Sequence, residues 1–450
     1  MKLALVISAL AVALTGCGGG GGGGGTADSG TSIDSSNPVL AGVGIFGKVS
    51  NNVSFQYYRD GSTSNPVSFI HPRDIDGDGV DEIFFAAFEA KSSSAGSYSN
   101  TSVHILGWES GTFKEVTSKW LPGTSNQVEG VGDLCFGDFN KDGKTDVFLS
   151  AYTDTNLAVH PYALMNTGAS FNRVELTAQA WMHSVSCGDM NGDGYDDVIA
   201  AGWGTSPTYM GSSSGLVEYA GNAAGAGVAL GDFLNTGTMQ YVVTESGSSH
   251  LTKLYSFTID SVGHTMGVNY VSTLPAPRID TTLGTTGNSH DVRARAVDFN
   301  SDGLLDVVVF SRYTFAPDNQ DVYRSEIQFL ANTGGGNFVD VTDSVLVGYD
   351  THSSMGYFPQ FRDFNQDGKL DLFVSQPEWN SYGYKGASLL LQNASKQFVN
   401  TSKTSLSKVI EIGGGQGAIA KGPGSKFFLI KESTWKNDGW TYVSAQPITF

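Results

Sequence analysis

Residues 138–146 read DFNKDGKTD, and four other stretches keep the same frame: DIDGDGVDE from Asp74, DMNGDGYDD from Asp189, DFNSDGLLD from Asp298 and DFNQDGKLD from Asp363. Side-chain oxygens recur at positions 1, 3, 5 and 9, and a glycine at position 6 allows a sharp turn. A peptide that alternates ligand and spacer can wrap one hard cation, and an all-oxygen, strongly negative donor set suits Ca²⁺. The side-chain donors are Asp74, Asp76, Asp78 and Glu82 in the first copy, and Asp138, Asn140, Asp142 and Asp146 in the second. The third offers Asp189, Asn191, Asp193 and Asp197, the fourth Asp298, Asn300, Asp302 and Asp306, and the fifth Asp363, Asn365, Asp367 and Asp371. Position 7 adds a backbone carbonyl, from Val80, Lys144, Tyr195, Leu304 and Lys369 in turn. Asp- and Gly-rich turns are common on surfaces, but five near-identical copies point to five structural calcium sites.

An EF-hand is excluded, because that loop needs a bidentate Glu at position 12. Position 12 is Phe85, Leu149, Ala200, Val309 and Val374 here. Each loop instead runs into a short apolar stretch such as IFFAAF, VFLSA or VVVF, which reads as a buried strand. Two degenerate copies complete the series. DFLNTGTMQ from Asp232 keeps the frame, but Leu234, Thr236 and Gln240 have replaced ligands; KGPGSKFFLI from Lys421 lacks every carboxylate. Between the loops, LGWESGTF (106–113), LMNTGASF (164–171), LANTGGGNF (330–338) and LQNASKQF (391–398) read as strand, turn, strand. The unit is therefore four strands, and seven such units predict an all-β fold, a seven-bladed β-propeller.

This motif set resembles the FG-GAP/VCBS repeat family, the calcium-loop propellers that include integrin α-subunit heads and some fungal lectins. The resemblance spans roughly residues 60 to 440 and departs from the pattern at the two degenerate loops and at Glu82, where Asp is usual. It implies that calcium is mainly structural and that the segments entering each inner strand converge on the face opposite the loops. The N-terminal strand region, GIFGKVSNNVSFQYYRDG, is expected to complete the last blade and close the ring.

The chain begins MKLALVISALAVALTGCGGGGGGGG. Lys2 followed by an apolar run to Leu14 reads as a signal segment, too short to span a bilayer. LTGC at 14–17 resembles a bacterial lipobox, which implies lipidation of Cys17 and, with Gly18 following, an outer-membrane address. The division expected is a signal peptide at 1–16, a Gly/Ser-rich tether at 17–37 and one propeller over 38–450. The formal charge of −18 argues against nucleic acid and anionic membrane surfaces as partners. Five Ca²⁺ would reduce it to −8. Cys135 and Cys187 stand on equivalent strands of adjacent repeats with opposite parity, as either a disulfide or two separate buried thiols.

The segments entering the inner strands carry His183, His290 and His352, with Arg293 and Arg295 in HDVRARAVD and Tyr357 in MGYFPQFRD. Tyr152, Trp203, Arg312, Tyr313 and Trp379 follow the second strands. Each is ordinary alone, as a surface histidine or a ring capping a blade core. Together they suit a sugar, with rings on apolar sugar faces and Arg on carboxylate or sulfate. Three function classes follow: a glycan- or surface-protein-binding lipoprotein, a polysaccharide lyase, or an envelope assembly scaffold. In the lyase, His290 or Tyr357 would move the proton and Arg293 would neutralise the substrate carboxylate. A monomeric propeller is expected. No nucleophile elbow, phosphate loop or zinc spacing is present.

Overall fold

The computed structural model describes residues 44–48, 67–89, 100–152, 158–202, 206–221, 225–245, 251–278, 289–315, 322–349, 359–375, 388–402, 417–434, 441–448 and 450. They form seven sheets around a central channel, a seven-bladed β-propeller, antiparallel but for one short parallel pair, Leu346–Val347 with Phe398–Asn400. Blade 2 shows the plan: inner strand Leu134–Gly137, then Asp146–Leu149, Tyr162–Asn166 and the outer Phe171–Glu175. The acidic nonapeptide is the turn between the first two strands of the blade. The inner strands of blades 1, 3, 4, 5, 6 and 7 are Val67–Arg73, Met182–Gly188, Gly227–Gly231, Ser289–Val297, Gln360–Arg362 and Gly417–Lys421. All four hairpin motifs lie where third and fourth strands meet.

The ring closes as the sequence suggests. Gly44–Lys48 pairs antiparallel with Thr441–Ile448 and becomes the outer strand of blade 7. Both ends of the described chain thus share one sheet, so unfastening the ring requires breaking a ladder rather than a loop.

Each blade is too thin to bury both faces alone, so the cores lie between neighbours. Phe69, Phe84 and Ile105 of blade 1 cluster with Leu134, Val147 and Leu164 of blade 2. Position 2 of the acidic loop plugs this layer: Ile75, Phe139, Met190, Phe233, Phe299 and Phe364 are all 5% exposed or less. Two short helical turns, Thr117–Trp120 and Thr342–Val345, lie outside the four-strand plan, and the first buries Trp120 against Phe171.

Polar groups also fasten blade to blade. The asparagine of the hairpin motif does more than turn the chain: Asn166 Nδ2 donates to Ile75 O of the preceding blade at 3.1 Å. Asn332 Nδ2 does the same to Phe233 O at 2.8 Å, and Gln392 Nε2 to Phe299 O at 2.6 Å. Cys135 and Cys187 form a disulfide between the inner strands of blades 2 and 3, which resolves the alternative left by their spacing. The signal segment, Cys17 and the tether lie outside the described residues. Among the described residues, no helix is long and apolar enough to cross a membrane.

Candidate functional site

The acidic loops share one backbone design. The position-1 carboxylate accepts the N–H of the position-6 glycine in six blades, at 2.7–3.0 Å, from Gly79 to Asp74 through Gly368 to Asp363. These glycines sit at φ between 78° and 88°, where a side chain would be strained. Position 4 is also left-handed, and there the sequence gives no warning: Lys141, Asn235, Ser301 and Gln366 adopt φ of 54–61°. Such non-glycine residues cost about 1 kcal/mol each, a strain that the surrounding hydrogen bonds hold in place.

Position 9 is the buried end of the loop. Asp146, Asp197, Asp306 and Asp371 are fully buried, and one oxygen of each accepts the position-2 N–H at 2.7–3.2 Å. The other accepts an N–H at the end of the third strand, from Asn166, Gly211, Asn332 and Gln392 respectively. Burial, with a smaller contribution from the other loop carboxylates, pushes these acids up: Asp146 and Asp371 to about 6, Asp197 and Asp306 to about 7, and Glu82 to about 8. The arrangement is a buried charge that the protein itself does not balance.

Two observations test whether a cation fits. Carboxylate oxygens of Asp74, Asp76 and Asp78 lie within 4.8 Å of one another, open for a shared ion. The degenerate loop of blade 4 is the internal control. Asp232 still accepts Thr236 N–H and Gly237 N–H, so the turn itself does not need positions 3 and 5. Where position 3 lost its oxygen (Leu234) and position 5 its carboxylate (Thr236), position 9 lost its charge as well: it is Gln240, whose Oε1 accepts Leu234 N–H at 2.9 Å. A buried acid that disappears together with its neighbouring oxygens is what a cation site in the intact loops would require. In two loops a lysine at position 7 already neutralises position 5. Lys144 Nζ lies 2.8 Å from Asp142 and Lys369 Nζ 2.7 Å from Asp367, which holds both carboxyls below their usual range.

At the opposite ends of the strands, Tyr152 follows the second strand of blade 2 and Trp181 precedes the inner strand of blade 3. Their rings stack with centroids 5.8 Å apart and planes 10° apart, and both are half-buried. His183 packs edge-on beneath both, 5.2 Å from Tyr152 and 4.7 Å from Trp181, and is 7% exposed. Gly132 makes room, since a Cβ there would meet the Tyr152 ring at 2.8 Å. The sequence reading named Tyr152 and His183 but not Trp181, which stands in no repeated position.

The remaining expected residues are distributed as follows. In blade 5, backbone register sets His290 opposite Arg312 and Ser289 opposite Tyr313, at one end of the sheet; their side chains lie outside the described residues. Trp203, His352, Tyr357 and Trp379 also lie outside them. Arg293 is 5% exposed, inside the channel wall rather than on the face. It belongs to a charge cluster with His71, Asp133 and Arg295. Asp133 Oδ2 accepts Val185 N–H, and Oδ1 lies 3.7 Å from His71 Nε2. Burial alone would raise Asp133, but the neighbouring His71 imidazole and the two arginines outweigh it and hold the carboxyl low. Burial likewise lowers His71 despite Asp133, with both arginines adding to the effect.

His71 escaped the sequence reading, although a signal was present. His71, Cys135, Ser186, Arg295 and Gln360 each stand three residues before an acidic loop. All face one central cavity of about 320 Å³.

A family model described as FG-GAP-like repeat matches residues 74–149, 138–200 and 298–374. No curated protein matches the chain. Among solved structures, a protein from Lactobacillus plantarum is 12% identical over 75% of this chain and 84% of that one, with a TM-score of 0.43. The α-L-arabinofuranosidase from Fusarium graminearum, solved with an iminosugar inhibitor, is 13% identical over 90% of this chain and 98% of that one, also at 0.43. The V. cholerae biofilm matrix protein Bap1 is 11% identical over 88% and 70%, at 0.34. These likenesses are too distant to speak to activity. With three of its repeats matched and its seven blades on view, the chain is a seven-bladed β-propeller that carries FG-GAP-like repeats.

Proposed function

We propose that the protein is a calcium-stabilised, lipid-anchored envelope propeller that binds glycans through the face opposite the acidic loops. The observation that carries the binding reading is the Tyr152–Trp181 pair: two stacked, half-buried rings at a blade junction, held from below by His183. Aromatic rings fixed in this way present flat apolar area next to water at little entropic cost, which suits the apolar faces of sugars. Binding is favoured over turnover by a His290/Tyr357/Arg293 site, because Arg293, the cation that lyase would set on the substrate carboxylate, is buried in the channel wall. Calcium in the five intact loops would supply the charge that positions 1, 3, 5 and 9 lack, and the residues present fit it.

Trp181→Ala should weaken binding to a panel of immobilised polysaccharides by at least about tenfold, as loss of a central aromatic anchor does. Melting temperature should show whether the blade junction survives. Equal retention of Trp181→Ala and the parent protein on every polysaccharide bound would remove the shelf from the account. For the anchor, Cys17→Ser should abolish fatty-acid labelling and release the protein from membranes. Continued labelling of that variant would show that Cys17 is not the modified residue.

A further inference from the structure

We infer that the central cavity is a second binding site, separate from the aromatic shelf, for a small oxyanion group such as a carboxylate or sulfate. Its wall comes from the inner strands of six blades, and its volume of about 320 Å³ falls at the small end of ligand pockets, enough for one acidic sugar residue. Among the described residues, the charged and imidazole groups on the wall are Arg73, Arg295 and His71, and no carboxylate lines it. This is unexpected in a chain with 44 acidic and 26 basic residues.

Among the described residues, neither arginine is satisfied. Arg295 donates one hydrogen bond, to Ala294 O at 3.0 Å, and Arg73 lies 5.9 Å over the Phe136 ring. Neither has a carboxylate within ion-pair distance among the described residues. By contrast, Arg278 is held by both Asp340 and Asp343, and Arg362 by Asp81. A guanidinium with most of its five donors unused in a recess is arranged for a bidentate oxyanion. Asp133 does not fill this role. It is 1% exposed, its oxygens accept Leu134 N–H and Val185 N–H, and it offsets only part of the cluster's positive charge.

The cavity opens toward the acidic loops. Along one face of the inner strands, exposure rises from Arg293, 5% exposed five residues before its loop, through half-buried Arg295, to exposed Arg73 beside Asp74. The entrance is therefore on the opposite side of the ring from Tyr152 and Trp181. Gln360 is spent on blade 7, where it bridges the N–H and carbonyl of Ile419, so it serves as wall rather than ligand.

The test is calorimetric titration of the full-length protein with sodium sulfate and with sodium glucuronate, in calcium-containing buffer. Both probes should bind, and Arg73→Gln and Arg295→Gln should each weaken binding at least about tenfold. Arg173→Gln, on the outer strand of blade 2, should not. Arg73 is exposed, so its replacement leaves folding intact and keeps the test decisive if Arg295→Gln misfolds. Absence of binding by the parent protein, or equal affinities in Arg73→Gln and the parent, would overturn the inference. Loss of polysaccharide binding in Trp181→Ala with sulfate binding retained would show the two sites to be independent.

Discussion

Excess chelator should lower the melting temperature by about 8 °C. If each of five loops binds calcium with the affinity of extracellular modules and the ion is at about ten times Kd, each contributes about 1.4 kcal/mol, or about 7 kcal/mol together. For a folded region of this size the unfolding entropy is about 0.8 kcal/mol per kelvin, which sets the shift. The same protein should also change its response to pH. In the calcium-free state the position-9 carboxyls are raised above their unfolded values, so the folded state favours their protonated form. Stability should then fall as pH rises from about 4, the unfolded value, to the folded values of about 6 to 8, where the loss is complete. With calcium present that loss should disappear, because the ion binds the charged form. A thermal melt at pH 5 and pH 8, with and without chelator, reads both effects. A calcium-free protein more stable at pH 8 than at pH 5 would contradict the picture of uncompensated buried charge.

Asp81→Ala should cost about 2–3 kcal/mol, because it removes a charge-assisted hydrogen bond from the partly exposed Arg362 and leaves the Lys421 N–H without its acceptor. Asp81 occupies position 8 of the first acidic loop, and its side chain is 4% exposed. Its N–H donates to Lys421 O at 2.8 Å, and its Oδ2 accepts Lys421 N–H and Arg362 Nη1, each at 2.6 Å. One residue thus joins blade 1 to blades 7 and 6, across the seam where the ring closes. Asp196 repeats half of the device at position 8 of the third loop. It accepts Asp138 N–H at 2.8 Å and donates its own N–H to Asp138 O, but among the described residues no arginine joins it. Asp196→Ala should therefore cost only about 1 kcal/mol, the usual net worth of one hydrogen bond. Denaturant midpoints of the two variants separate the cases. Equal losses would mean that the seam carries no special weight.

The blades were legible because the acidic loop and the hairpin motif each recur, and recurrence survives the uneven spacing. What recurs weakly was not legible. Asp81 and Asp196 read as two more acids in acidic loops, although neighbouring blades explain them: the Lys421 backbone and Arg362 for Asp81, the Asp138 backbone for Asp196. The left-handed φ of Lys141 and Gln366 had no residue signature, because the strain is held by tertiary bonds: Lys141 Nζ reaches Asp193 O and Gln366 Nε2 reaches Ser425 O. Asn166 was read as a turn former, and its reach into the preceding blade depends on a neighbour 91 residues away. Trp181 was missed because it stands outside the repeat. His71 could have been found, since it shares its register before the loop with Arg295.

Calcium stoichiometry tests the central claim most directly. The full chain is dialysed against trace calcium buffered near the micromolar range, returned to millimolar calcium, and its bound metal measured per chain by equilibrium dialysis with mass-spectrometric detection. The account predicts five ions. It also predicts four in Asp142→Ala, and five still in Asp232→Ala, since the blade 4 loop holds none. A chain that binds no calcium under these conditions, or that loses an ion with Asp232, would contradict it.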